Sequence, residues 1–132
     1  MTYMLDTNTC IFMMKHDPKV LGRFHAARSK GVAVSSITLA ELEFGVAKSK
    51  SKERNRNALL AFSTLVDILP FDTSATAAYG QIRAALEQSG TPIGTLDTLI
   101  GAHARSLNMA LVTNNTREFS RITGLIIEDW LI

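Results

Sequence analysis

Short apolar runs alternate with helix-period stretches along this chain, and each apolar run ends in polar residues. Residues 2–5, 32–34, 66–69, 109–112 and 125–127 are too short for buried helices and read as strands. Between them lie stretches with apolar residues at helical spacing. A short helix capped by Asn8 or Thr9 runs to Met14. Asp17-Pro18 opens a second helix, with Pro18 at its first position, ending near Ser29. Further helices are predicted over residues 38–47, 53–65, 73–89 and 95–107, with a helical turn near 118–121. Gly45 lowers helix propensity and offers a place for close packing. Strands that alternate with helices cannot pair as hairpins. They require crossovers, hence an α/β fold: a parallel sheet of four to five strands flanked by helices.

Composition narrows the classes. Of the 132 residues, 46% are hydrophobic and 20% charged, which excludes a disordered or low-complexity chain. No internal repeat or long linker divides it, so one domain over residues 1–132 is expected. Fourteen basic against twelve acidic residues leave a net charge of +2, too little to indicate nucleic acid alone. The single Cys10 has no partner for an internal disulfide, which suits a reducing, cytoplasmic setting, and it reads as core. No apolar run is long enough for a bilayer, and the N-terminus lacks the basic lead of a signal peptide, so no membrane association is expected.

In open parallel sheets, sites form beyond the carboxyl ends of the strands. Asp6 follows the first strand. Glu41 lies a few residues past the second. Asp97 opens the helix before the fourth, and Thr113, Asn114, Asn115 and Glu118 follow it. Asp6, Glu41 and Asp97 would bring three negative charges to one edge. Such charges repel, and their pKa values rise, unless a cation joins them. Hard oxygen donors favour Mg²⁺, with Mn²⁺ as a substitute, over Zn²⁺. That chemistry suits hydrolysis of a phosphodiester.

Structural readings stand beside these. Asp6 can be a helix cap. Thr38-Leu39-Ala40-Glu41 matches a capping box, in which Glu41 bonds back to Thr38. Asp97 can offset a helix dipole, and Glu118 can be merely solvated. Lys48, Lys52 and Arg56 fall at i, i+4 and i+8, which on a helix makes a basic stripe for RNA phosphates, or else a solvated face. His103 reads as a satisfied histidine rather than a base. Trp130 reads as packing or an interface anchor.

Taken together the segments resemble a PIN-domain ribonuclease of the VapC type, the toxins of type II toxin–antitoxin pairs. The matching pieces are Met4-Leu5-Asp6-Thr7-Asn8, Ser36-Ile37-Thr38-Leu39-Ala40-Glu41-Leu42-Glu43-Phe44-Gly45 and Pro92-Ile93-Gly94-Thr95-Leu96-Asp97. They continue with Ile100-Gly101-Ala102-His103-Ala104, Leu111-Val112-Thr113-Asn114-Asn115-Thr116-Arg117-Glu118-Phe119 and Ile127-Glu128-Asp129-Trp130. The resemblance spans essentially the whole chain. It implies a PIN-like fold in which Asp6, Glu41 and Asp97 hold Mg²⁺, with Thr113 in support. Many PIN domains carry a further acid where this chain has Asn115. That departure puts a second tightly held metal in doubt, and Glu118 is the nearest substitute.

The resemblance further implies an endoribonuclease that cuts RNA, tRNA in the anticodon loop among its targets and initiator tRNA foremost, and so inhibits translation. It implies a homodimer, neutralisation by a VapB antitoxin, and a hetero-oligomer with that antitoxin on operator DNA. Water rather than the ribose 2′-hydroxyl attacks, so the expected ends are 5′-phosphate and 3′-hydroxyl. The alternative is a catalytically inactive PIN-fold binding module. A receiver-type phospho-acceptor domain would need paired acids after the first strand, where Asp6 stands alone, and an acid after the third, where Pro70-Phe71 follow.

Overall fold

The computed structural model describes residues 2–132. Its elements in chain order are β1 (Tyr3–Leu5), α1 (Thr7–Met14), α2 (Pro18–Ala27), β2 (Val32–Ser35), α3 (Ser36–Lys48), α4 (Lys52–Ser63), β3 (Asp67–Leu69), α5 (Thr73–Gln88), α6 (Thr95–Ser106), β4 (Ala110–Val112), α7 (Thr116–Phe119) and β5 (Ile127–Glu128). A 3₁₀ turn, Arg28–Lys30, links α2 to β2. The five strands form one parallel sheet in the order β3-β2-β1-β4-β5. The expected α/β sheet flanked by helices is therefore present.

Each strand is short because it crosses one core and stops. Side chains alternate along β1: Tyr3 and Leu5 enter a core with Cys10, Phe24, Val34, Leu59 and Phe62 on one face. Met4 enters the opposite core with Ile82, Ile100, Leu111 and Phe119. Both faces are covered, which is why the strands read as continuous apolar runs. The indole of Trp130 is buried in the first core, 5.7 Å from the Tyr3 ring, and its Nε1 donates to Glu128 at 3.1 Å. Trp130 thus packs internally.

Helix starts follow side-chain caps. Asp6, Asp17, Ser35 and Asp72 accept backbone N–H groups at the N-termini of α1, α2, α3 and α5. Three expectations are corrected by this pattern. Helix α1 is capped by Asp6, not Asn8 or Thr9. Helix α3 begins earlier than residue 38, because the Ser35 hydroxyl ends β2 and accepts Ile37 N–H at 3.1 Å. Thr38 therefore lies inside the helix, and its capping box with Glu41 does not form. Gly45 has nothing within 4 Å of where a Cβ would sit. Gly101 is the close approach instead: a Cβ there would lie 2.5 Å from Ile122 Cδ1.

One buried joint ties three elements together. His103 of α6 lies 2.8 Å through Nδ1 from the Ser35 hydroxyl at the start of α3. Burial holds the imidazole below its usual pKa, with Asp72 and the Pro70 carbonyl opposing. The Phe71 ring meets His103 edge-on at 5.3 Å, and Phe71 N–H donates to Ser36 Oγ at 2.9 Å. Ser35→Ala strands both Ile37 N–H and the His103 ring nitrogen in the interior. We expect a loss of about 1–3 kcal/mol, measured by denaturant unfolding.

Candidate metal centre at the carboxyl edge of the sheet

The chain runs β1 to β2 to β3 in one direction across the sheet and then returns to β4 on the other side of β1. That reversal opens a crevice beyond the carboxyl ends of β1 and β4. Register places Leu5 beside Val112, so the next residues, Asp6 and Thr113, stand at the mouth of the crevice.

Asp6 is buried there, 4% exposed. Its Oδ1 accepts Thr9 N–H at 2.9 Å, and its own N–H donates to the Val112 carbonyl at 3.0 Å. Burial raises its pKa. The Thr113 hydroxyl and the Thr9 amide oppose the rise, and the charge of Asp129 adds to it. Thr9 Oγ1 also donates to the Val112 carbonyl at 3.1 Å. Asp6 therefore is a cap, yet a carboxylate has two oxygens, and capping through one leaves ligation open to the other.

Glu41 sits half-buried on α3, and the Thr7 hydroxyl donates to its Oε1 at 2.6 Å. With the Thr38 capping box absent, the carboxylate is turned towards α1 instead. The Thr38 hydroxyl is buried and has no hydrogen-bond partner. Asp97 lies in the first turn of α6, whose start at Gly94 has no side-chain cap. Its pKa is pushed up from 3.8 to about 6, first by burial and then by the charges of Glu118, Asp6 and Glu41. One carboxyl thus senses three others drawn from α7, the end of β1 and α3. Glu118 is held by Asn115, whose Nδ2 donates to Oε2 at 3.1 Å, while Asn115 N–H donates to Thr113 Oγ1 at 2.9 Å. The Asn115 side-chain amide therefore positions Glu118, where an acid would only add charge, while its backbone N–H engages Thr113.

The basic residues do not form the expected stripe. Lys48 ends α3 and Lys52 begins α4, with a turn between them. Arg56 is held by Glu43 at 2.6 Å. At about 100° per residue, Glu43 lies roughly 200° around α3 from Glu41, so Arg56 is engaged away from the acidic edge. Four residues of the site were not singled out from sequence: Thr7, Thr9, Asp129 and, at the joint behind it, Ser35. Asp129 had a legible signal, since it follows β5 at the same sheet edge. The threonines had none, because their partners are 34 and 103 residues away.

The carboxylates brought together here, Asp6, Glu41, Asp97 and Glu118, offer oxygen donors, and their mutual charge raises Asp97. That donor set fits a hard divalent cation. Among the described residues no three His, Cys, Asp or Glu groups stand in a direct chelating arrangement. A cation here would keep part of its water, the habit of Mg²⁺ rather than Zn²⁺.

The sign of the pH effect follows from the raised carboxyl. In metal-free protein Asp97 binds its proton more tightly folded than unfolded, so stability falls as pH rises from about 4 to about 6. In EDTA, Asp97→Asn should match the parent protein in thermal denaturation near pH 4 and exceed it above pH 6. An equal pH slope in both proteins would contradict the cluster.

Comparison with known proteins agrees with the fold. The family model described as PIN domain matches residues 3–125. The chain is 46% identical over 129 residues to the tRNA(fMet)-specific endonuclease VapC of Shigella flexneri, covering 97% of each. It is 47% identical over 129 residues to the protein of that name from Salmonella typhimurium, again covering 97% of each. Its fold superposes with a TM-score of 0.95 on a solved structure of VapBC2 from Rickettsia felis bound to a promoter DNA fragment. That chain is 44% identical, with 98% of this chain and 99% of that one covered. With a parallel sheet, an acid-lined crevice at its switch point and these relatives in common, the chain belongs to the PIN-domain family of VapC ribonucleases.

Proposed function

We infer that this protein is a metal-dependent endoribonuclease, the toxin half of a toxin–antitoxin pair, built as a single PIN domain over residues 1–132. The observation that carries the reading is the convergence of Asp6, Glu41, Asp97 and Glu118 at the sheet's switch point, where Asp97 senses the other three. A binding module has no reason to hold repelling carboxylates together. The shared names of the relatives supply the substrate class: tRNA, with initiator tRNA foremost. Structures of relatives with an antitoxin partner, some on DNA, make a VapB-like antitoxin and operator DNA the expected partners, and a homodimer is the proposed assembly. No helix among the described residues is long and apolar enough to cross a membrane, and action on tRNA is consistent with a cytoplasmic site.

Asp6, Asp97 and Glu41 would hold Mg²⁺, with Mn²⁺ as a substitute. When bound, such an ion lowers the pKa of a water and neutralises charge on the phosphate. The chain's own residues do the positioning. Thr113, beside Asp6, opposes the rise that burial imposes on its pKa. Thr7 aims Glu41, where the carboxylate binds the ion or orients water. Asn115 steers Glu118 to the rim, in place of a further acid. Water as nucleophile leaves a 5′-phosphate and a 3′-hydroxyl.

Purified protein incubated with total bacterial tRNA should make a discrete cut with Mg²⁺ and none with EDTA. Asp6→Asn should lose activity by orders of magnitude and stay folded, since an asparagine oxygen still caps Thr9 N–H. Cyclic 2′,3′-phosphate ends would refute the mechanism. Thr113→Val should cost about 10- to 100-fold. Mg²⁺ should raise the melting temperature of the parent protein and leave that of Asp97→Asn nearly unchanged; a catalytically inactive module would show neither cut nor shift.

A further inference from the structure

Helix α3 carries more of the site than Glu41. Glu41, Phe44 and Lys48 are spaced i, i+3 and i+7, which places them along one face of the helix. Glu41 points into the acidic crevice, where it meets Thr7 and raises Asp97. Phe44, one turn on, is 65% exposed, more than any other large apolar residue among the described residues except Ile132. The Lys48 ammonium sits over its ring, 5.0 Å from the centroid. Burying so large a side chain stabilises a fold, and leaving it in water forfeits that gain. The rest of α3 obeys the rule: Leu42 and Val46 are buried.

We propose that Phe44 and Lys48 form a nucleotide subsite beside the acidic centre, in which one unpaired RNA base stacks on the Phe44 ring and Lys48 pairs with a neighbouring phosphate. The proposal rests on the nuclease reading and adds to it where the substrate strand runs. With the residue 65% exposed, a base can stack on the part of the ring that the Lys48 ammonium leaves uncovered. Aromatic rings accept unpaired bases of any identity, whereas duplex RNA hides its base faces within the stack. Lys48 is flexible enough to leave the ring for a phosphate.

Charge favours RNA over a protein surface as the occupant. Beyond Lys48 the chain turns through Lys50, Lys52 and Arg54, and among the described residues none of these four cations forms an ion pair. Lys50, Lys52 and Arg54 line an open depression of about 490 Å³ in which Glu53 is the one acid, so its lining is net positive. A polyanion that places its scissile phosphate at the acids would find a stacking surface one helical turn away and cations further along. The side chains exposed on α3 beside Phe44 are Ala40, Ala47 and Lys48 and the acidic Glu43. They extend it into no broad apolar patch of the kind a protein interface uses.

The test uses full-length protein carrying Asp6→Asn, so that RNA is bound without being cut. The probe is a fluorescein-labelled oligomer of ten unpaired adenosines, with a ten-base-pair RNA duplex as the comparison. The oligomer should bind more tightly than the duplex. Adding Phe44→Ala or Phe44→Leu should weaken oligomer binding about tenfold and leave duplex binding and the melting temperature unchanged. Phe44→Trp should retain affinity. Lys48→Ala should lower the salt dependence of log Kd by about one ion.

In parallel, Phe44→Ala in the otherwise unmodified protein should raise KM for tRNA cleavage more than it lowers kcat. Unchanged oligomer binding in Phe44→Ala, or equal loss for oligomer and duplex, overturns the subsite. So does a change in oligomeric mass by light scattering, which would mean that a second copy covers the ring. If unmodified protein cuts no RNA while Phe44→Ala still loses oligomer binding, the nuclease reading fails and the subsite stands.

Discussion

The structure is organised around a charge that ought not to be buried. Asp6 ends the central strand with both cores behind it, and an ionised carboxylate in that position costs free energy unless it is hydrogen-bonded. The fold supplies the bonds from both sides of the crevice. Thr9 comes from the helix that Asp6 itself caps, and Thr113 from the neighbouring strand end. Even so the carboxyl remains harder to ionise than in water. Its nearby charged neighbours make matters worse, since Asp129 is also an acid and Asp97 adds its own repulsion. A scaffold that tolerates this arrangement is one whose stability comes from elsewhere, from a sheet buried on both faces.

The acids stay together because the elements that carry them are locked to one another. Helix α3 brings Glu41 and helix α6 brings Asp97, and the two helices are joined by the buried contact of Ser35 with His103. That contact is buried and uses a hydroxyl and an imidazole rather than an ion pair. Asp97 also gains from its place in the first turn of α6, whose free N–H groups favour negative charge. Repulsion among the acids is thus opposed by hydrogen bonding and helix dipole. A cation entering the crevice would relieve the repulsion without moving the frame.

Much of the site was legible because a parallel sheet imposes a rule on position. Residues that follow a strand, and those that open a helix leading back into one, lie at the same edge, so Asp6, Glu41, Asp97 and Glu118 could be grouped as candidates from their order along the chain. The same rule covers Asp129, whose significance depends on where the last strand ends; placing that strand at residues 125–127 instead of Ile127–Glu128 hid it. Local motifs misled where a longer-range bond won. The Thr38–Glu41 box is a sound helix start by itself, yet Ser35 starts the helix and Thr7 takes Glu41. The basic series failed for a related reason. Spacing of four residues makes a stripe only on a continuous helix, and the chain turns between Lys48 and Lys52.

The order of apolar runs and helical periods was enough to determine the fold class, because burial of short strands on both faces leaves few other arrangements. The identity of the acids, all oxygen donors, was enough to determine the kind of cation they would accept. Which hydroxyl holds which carboxylate was decided only in three dimensions. Thr7 reaches Glu41 across 34 residues, and Thr9 reaches the Val112 carbonyl across 103. The availability of each cation was decided there as well, since Arg56 has an acid beside it and Lys48 has a phenyl ring. Sequence records what each residue can bond; only packing determines which partners come within hydrogen-bonding distance, about 3 Å, beyond which the interaction weakens.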